Sequence, residues 1–418
     1  MKLVTMTLQV LLAGLAADAA AAAPAPRVGH AVERVEVEGS AQGETREVDV
    51  QLWYPAAHQG HRGRRTRYTS ALHGRDLPAP WRPLSWTVKA ELAREEPPLR
   101  RGVRFPVIVF SHGSVNDPID YAHTLERIAG AGFVVAAPSH VNNTQDDVRI
   151  DFINTQAGHQ VFRCNDGRPS PCSRTDLARS MEDRVRDIGA TLTQLPSWLG
   201  RGADVERAGV LGHSRGTVTA LAAAGGSTPW DFAPEPRVKA IMGMAIGNDA
   251  VTAGADVADV MVPTLLVAGA LDETSPQRVS EAAFQALGTT DKAFVSIPNA
   301  VHRTFDSTYC DQVQAAGAIA LRKPDAILDR HTASGIIRHP TSGLATQYCS
   351  RSTFTRPADI RPLVESVTGA PFPANVPTTG LETDAVKQRM AALAVGFFGR
   401  TLGVARQPRL EAASGASF

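Results

Sequence analysis

Between residues 106 and 297 the chain repeats one texture: a short apolar run, a turn of small or polar residues, then apolar residues at helical spacing. Pro106-Val107-Ile108-Val109-Phe110 opens the series. Phe133-Val134-Val135-Ala136-Ala137, Ala208-Gly209-Val210-Leu211, residues 238–244, Thr264-Leu265-Leu266-Val267-Ala268 and residues 293–297 continue it. Runs this short and this uniformly apolar suit strands buried on both faces. With helical stretches over residues 121–129, 175–195 and 214–224 between them, they predict an α/β fold with a mostly parallel central sheet and helices on both faces.

Other segments fill in the frame. Residues 32–38 and 48–53 alternate apolar and polar positions, the pattern of half-exposed antiparallel strands. Residues 58–101 are rich in Gly and Arg and poorly periodic, but hold Trp81 and Trp86, so they are expected to lie over the domain surface. Two stretches interrupt the alternation, at about 142–173 and 306–382, and both follow strand ends, where functional loops of such sheets gather. A last helix is expected from Thr383 or Asp384 to Leu402, stopped by Gly403, and residues 406–418 read as a flexible tail. One domain over residues 24–405 is the expected organisation.

The N-terminus has the form of a targeting signal. Lys2 precedes a mostly apolar stretch over residues 3–17, and the small residues 19–23 offer a cleavage site before Pro24. The expectation is a signal peptide over residues 1–23 and a secreted or periplasmic protein with no stable membrane span. In an oxidising compartment an even number of cysteines reads as a disulfide set. Cys164, Cys172, Cys310 and Cys349 allow three pairings, and Cys164–Cys172 with Cys310–Cys349 is favoured because each then closes a loop within one segment. No CxxC pair or HExxH spacing points to a metal, and none is expected. A balance of 43 basic against 42 acidic residues gives no field to attract nucleic acid.

The chemistry centres on Gly212-His213-Ser214-Arg215-Gly216. The motif alone is weak, but it directly follows an apolar strand and directly precedes a helix rich in small residues, the setting of a nucleophile elbow. A serine hydroxyl needs a base to attack at neutral pH. Only His302, His331 and His339 follow Ser214, and His302 alone stands just past a predicted strand. Asp272 ends the strand and glycine turn that begin at Thr264, where it would hold the His302 ring in its working tautomer. An oxyanion hole needs two backbone N–H donors. Arg215, after the nucleophile, would supply one and Ser114, in Ser111-His112-Gly113-Ser114, the other, with His112 as a structural hydrogen-bonding residue.

These pieces, together with Leu52-Trp53-Tyr54-Pro55-Ala56 and Gly132-Phe133-Val134-Val135-Ala136-Ala137-Pro138, resemble the α/β-hydrolase superfamily. The branch they resemble is that of the predicted dienelactone hydrolases and platelet-activating-factor acetylhydrolases. The resemblance spans roughly residues 32–305 and the final helix. It implies a metal-free serine hydrolase of carboxylic esters, working through an acyl-enzyme on Ser214, His302 and Asp272, with Ser114 and Arg215 forming the oxyanion hole. Small-molecule, lipid or polyester esters are the implied substrates. Arg215-Gly216-Thr217 departs from the small or aromatic residue followed by Gly-Gly that is common in the family; the arginine either favours an anionic substrate group or pairs with a nearby carboxylate. An amidase or acyltransferase on the same residues and a catalytically silent binding protein are the competing readings.

Overall fold

The uniformly apolar runs form the inner strands of the sheet because each buries both of its faces. In the computed structural model, Val107 and Val109 point into one apolar layer while Ile108 and Phe110 point into the other. The structure describes residues 27–40, 43–57, 63–69, 87–114, 116–141, 143–144, 174–247, 255–311, 365, 371 and 383–404. The expected signal peptide, the tail and nearly all of the two insertions lie outside them.

Ten strands are described: β1 (Val28–Glu38), β2 (Thr45–Pro55), β3 (Arg65–Thr69), β4 (Thr87–Glu95), β5 (Phe105–Ser111), β6 (Val134–Pro138), β7 (Ala203–His213), β8 (Val238–Met244), β9 (Thr264–Gly269) and β10 (Lys292–Ile297). They form one sheet in the order β10-β9-β8-β7-β5-β6-β2-β1-β4-β3. From β6 to β10 every neighbouring pair is parallel. β2 runs antiparallel to β6 and to β1, as the alternating pattern of its sequence predicts.

Among the described residues five α-helices cover the sheet: α1 (Ala122–Gly130), α2 (Arg174–Leu199), α3 (Arg215–Gly225), α4 (Gln277–Ala286) and α5 (Thr383–Leu402). α1 and α5 bury Leu125, Ile128, Met390 and Phe398 in one layer. α2 and α3 bury Met181, Val185, Ile188, Leu192, Val218 and Leu221 in the other. The α2 stripe recurs every three or four residues, so one side of the helix faces the core. Gly403 ends α5 at a φ of 69°, as its position after the last periodic residue predicts.

One region departs from expectation. Residues 58–101 were expected as irregular surface, yet they supply β3 and β4, paired antiparallel at the sheet edge. A buried carboxylate holds them there. Glu126 on α1 accepts the backbone N–H groups of Glu91, Leu92 and Ala93 in β4 and the Tyr68 hydroxyl of β3 at 2.6 Å. Tyr68 in turn accepts the Trp53 indole N–H at 2.8 Å. Both strands do alternate buried and exposed positions, over Arg65–Tyr68 and Thr87–Ala90, but the runs are short and sit in a stretch rich in Gly, Arg and Pro.

Cys310 is held in a disulfide. Cys164, Cys172 and Cys349 lie outside the described residues, and with them both expected pairings. Among the described residues no helix is long and apolar enough to cross a membrane, and no cluster of side chains could hold a metal ion.

Candidate active site

Parallel strands bring their C-terminal ends to one edge, so the loops after β5, β7, β9 and β10 converge. Ser214 occupies the sharp turn between β7 and α3, with φ 54° and ψ −121°, a conformation that L-residues rarely adopt. Gly212 and Gly216 permit it. A Cβ on Gly216 would sit 1.8 Å from the Ser111 carbonyl oxygen, and one on Gly212 would sit 2.2 Å from the Gly216 carbonyl oxygen. The Ser214 N–H donates to Met244 O at 2.9 Å. The Thr217 hydroxyl accepts the Met244 N–H at 3.0 Å and lies 3.0 Å and 2.9 Å from the Gly212 and Met244 carbonyl oxygens. Thr217, where the sequence departs from Gly-Gly, thus pins the elbow to β8.

The other expected residues come to the same place. His302 opens a short 3-10 turn after β10, and its Nδ1 lies 2.8 Å from Asp272 Oδ2, on the loop after β9. The second Asp272 oxygen accepts the Ser275 N–H at 2.7 Å, so both oxygens are engaged and the carboxylate is buried. The His302 ring packs against that of His213, with centroids 4.7 Å apart, and so stands beside the residue preceding Ser214. No hydrogen bond joins the Ser214 hydroxyl to His302, the loose geometry common in such sites before substrate binds.

The loop after β5 closes against the elbow. A Cβ on Gly113 would lie 3.3 Å from the Ser214 Cβ and 3.2 Å from His213 Nδ1. Ser114 follows, and its N–H has no backbone partner among the described residues. Arg215 is the first residue of α3, at the helix end whose dipole favours negative charge. Burial lowers the Arg215 guanidinium to about 10.

Three buried residues beneath the site are not evident from the motif. His213 Nδ1 lies 2.7 Å from the Tyr121 hydroxyl. Burial and the neighbouring charges of His302 and Arg303 hold the His213 imidazole well below its ordinary value, which favours its neutral form. Asp306, expected inside an irregular insertion, is instead buried. It accepts from Asn116 Nδ2 at 3.2 Å and from Arg303 at 3.3 Å. Tyr121 and Asp306 carry no local sequence signal, because each takes its role from a residue far along the chain. His213 occupies the variable position of the elbow motif.

The strand order, the mostly parallel sheet and the serine on a sharp strand-to-helix turn at its edge make up an α/β fold similar to that of α/β-hydrolase esterases. Residues 83–149, which span β4, β5, α1 and β6, match the family described as platelet-activating factor acetylhydrolase, isoform II. No curated protein matches the chain. Among solved structures, a ferulic acid esterase from Streptomyces cinnamoneus is similar at 19% identity over 93% of this chain and 94% of that one, with a TM-score of 0.49. A cold-adapted esterase from an Arctic intertidal metagenomic library is similar at 16% identity over 72% of this chain and 94% of that one, with a TM-score of 0.40. A dienelactone hydrolase from Anabaena variabilis ATCC 29413 is similar at 19% identity over 71% of this chain and 96% of that one, with a TM-score of 0.39.

Proposed function

We propose that the chain is an exported serine esterase that hydrolyses carboxylic esters through an acyl-enzyme on Ser214. The observation that carries this reading is the 2.8 Å contact of Asp272 with His302 Nδ1, set beside a serine held on a strand-to-helix elbow. With Nδ1–H donated to Asp272, Nε2 of His302 is left as the acceptor for the Ser214 proton. Ser214 Oγ attacks the ester carbonyl, and the tetrahedral oxyanion is met by the Ser114 N–H on the loop after β5 and the Arg215 N–H at the N-terminus of α3. His302 returns the proton to the leaving alcohol and then activates water to release the acid. Small-molecule, lipid or polyester esters are the substrate class, and the N-terminal residues 1–23 would direct export.

The test is hydrolysis of p-nitrophenyl acetate and butyrate by the wild type and by Ser214→Ala. Loss of turnover in the variant, with fluorophosphonate labelling of Ser214 in the wild type, supports the reading. Retained turnover in a folded Ser214→Ala protein overturns it. An ester chain-length panel extended to polyester film and oxidised phospholipid would then place the substrate within the class.

A further inference from the structure

Behind the loop that carries Ser114 lies a second chain of hydrogen bonds of serine–histidine–aspartate type. Ser111 Oγ stands 3.0 Å from His140 Nε2, and His140 Nδ1 stands 2.8 Å from Asp187 Oδ2. All three residues are fully buried, so Ser111 cannot meet a substrate. The group that organises them is Arg184, on α2. Its guanidinium donates to Thr219 Oγ1 at 3.0 Å, Asn143 Oδ1 at 3.0 Å, Ser111 Oγ at 3.2 Å and, closest of all, the His112 carbonyl oxygen.

The donors settle the protonation of both rings. The His140 backbone N–H donates to His112 Nε2 at 3.0 Å, so the His112 proton is on Nδ1 and goes to the Gly113 carbonyl oxygen at 2.7 Å. Ser111 accepts from Arg184, so its own proton is directed to His140 Nε2 and His140 donates Nδ1–H to Asp187. Burial, reinforced by Arg184, holds both imidazoles well below their ordinary value, in keeping with these neutral forms. Arg46, 3.0 Å from Asp187, completes the charge balance around the aspartate.

The consequence lies in the peptide planes. In a trans peptide the carbonyl and the N–H point in opposite directions. The Gly113 carbonyl, held by His112, therefore aims the Ser114 N–H away from it. The Thr219 hydroxyl that accepts from Arg184 donates to the Arg215 carbonyl oxygen at 3.1 Å, tying the same guanidinium to the first turn of α3.

We propose that Arg184 is a positioning residue which, through His112, holds the Ser114 N–H of the oxyanion hole in register and, through Thr219, braces the first turn of α3 that carries the Arg215 N–H. It touches neither substrate nor Ser214, and the proposal rests on the reading of Ser214 as the nucleophile. A fixed donor acts on the transition state rather than on bound ester, so its loss lowers kcat with little change in KM.

The experiment uses the full chain with p-nitrophenyl butyrate, after wild type and Ser214→Ala have been compared. An inactive wild type or an active Ser214→Ala means the nucleophile assignment has failed, and that is seen before any Arg184 variant is made. With the assignment standing, Arg184→Ala is expected to lose about 100-fold in kcat, the scale of removing one oxyanion donor, with KM within about threefold. Arg184→Lys keeps the charge but not the fork and should recover only part of it. Added guanidinium ion at low concentration should partly restore Arg184→Ala, which a general loss of folding would not allow. If Arg184→Ala does not fold, Thr219→Val decides, with kcat expected to fall several-fold at unchanged KM. A folded Arg184→Ala with wild-type kcat, a loss confined to KM, or a failed Arg184→Ala beside a Thr219→Val of wild-type kcat overturns the proposal.

Discussion

Asp272 and His302 stand at the ends of neighbouring parallel strands, β9 and β10, and meet at 2.8 Å between Oδ2 and Nδ1. The carboxylate is buried and its other oxygen is occupied by the Ser275 N–H, so it has no freedom to turn away from the ring.

Asp272→Asn tests that relationship. The amide keeps the shape but can present its NH2 to Nδ1, which favours the tautomer with its proton on Nε2 and removes the base. The expected result is a fall in kcat of about 10³–10⁴-fold with KM changed little, measured with p-nitrophenyl butyrate. A loss under tenfold would mean that Asp272 does not orient the ring.

The elbow makes a steric prediction. The Cβ of Gly216→Ala would meet the Ser111 carbonyl oxygen at 1.8 Å, and backbone cannot move aside as a side chain can. Destabilisation of about 3 kcal/mol or more is expected, at the upper end of overpacking effects, together with loss of fluorophosphonate labelling. Thermal denaturation reads the first and gel fluorescence the second. Wild-type values for both would refute the elbow geometry.

Glu126 is the residue that joins β4 to α1. Its oxygens accept three backbone N–H groups and the Tyr68 hydroxyl, whose own proton burial and the adjacent Glu126 charge hold more tightly than usual. In Glu126→Gln one oxygen becomes a donor facing other donors. A cost of about 2–4 kcal/mol follows from orphaned buried groups, visible as a lower urea midpoint. An unchanged midpoint would show that the edge strands are held by other contacts.

Asp306 gives a pH-dependent prediction. Burial pushes its carboxyl up to about 6 against the pull of Arg303, with Asp120 adding to the rise. The folded state then holds the proton more tightly than the unfolded chain. The carboxyl's contribution to stability is present in full below the unfolded value and is lost as pH rises through about 6. Asp306→Asn removes this titration, so its Tm relative to wild type should be more favourable at pH 7 than at pH 4. Parallel Tm profiles for the two proteins between those values would rule the shift out.

Much of this site was legible from residue order. Leu211, Gly212, Ser214 and Gly216 form a local pattern, and a strand, a tight turn and a helix follow from neighbours in sequence. Asp272 and His302 were legible because a parallel sheet presents every strand's C-terminal end to the same edge. Knowing which residues follow strands is then enough to bring them together. β3 and β4 were missed because their alternating runs, Arg65–Tyr68 and Thr87–Ala90, are short and lie among Gly, Arg and Pro.

Arg184, Asp187 and His140 mark the limit most clearly. In sequence, the first two are ordinary charges on an amphipathic helix, and nothing nearby distinguishes them from solvated ones. They become a buried network only when α2 packs across the sheet and sets them against Ser111, His112, Thr219 and Arg46. Sequence alone placed Ser214, Asp272 and His302 just past strand ends, in that order along the chain, because backbone periodicity and turn chemistry are local. Tertiary structure alone decided what holds the backbone N–H groups in place, because removing a charge from water requires partners that only the packed chain supplies.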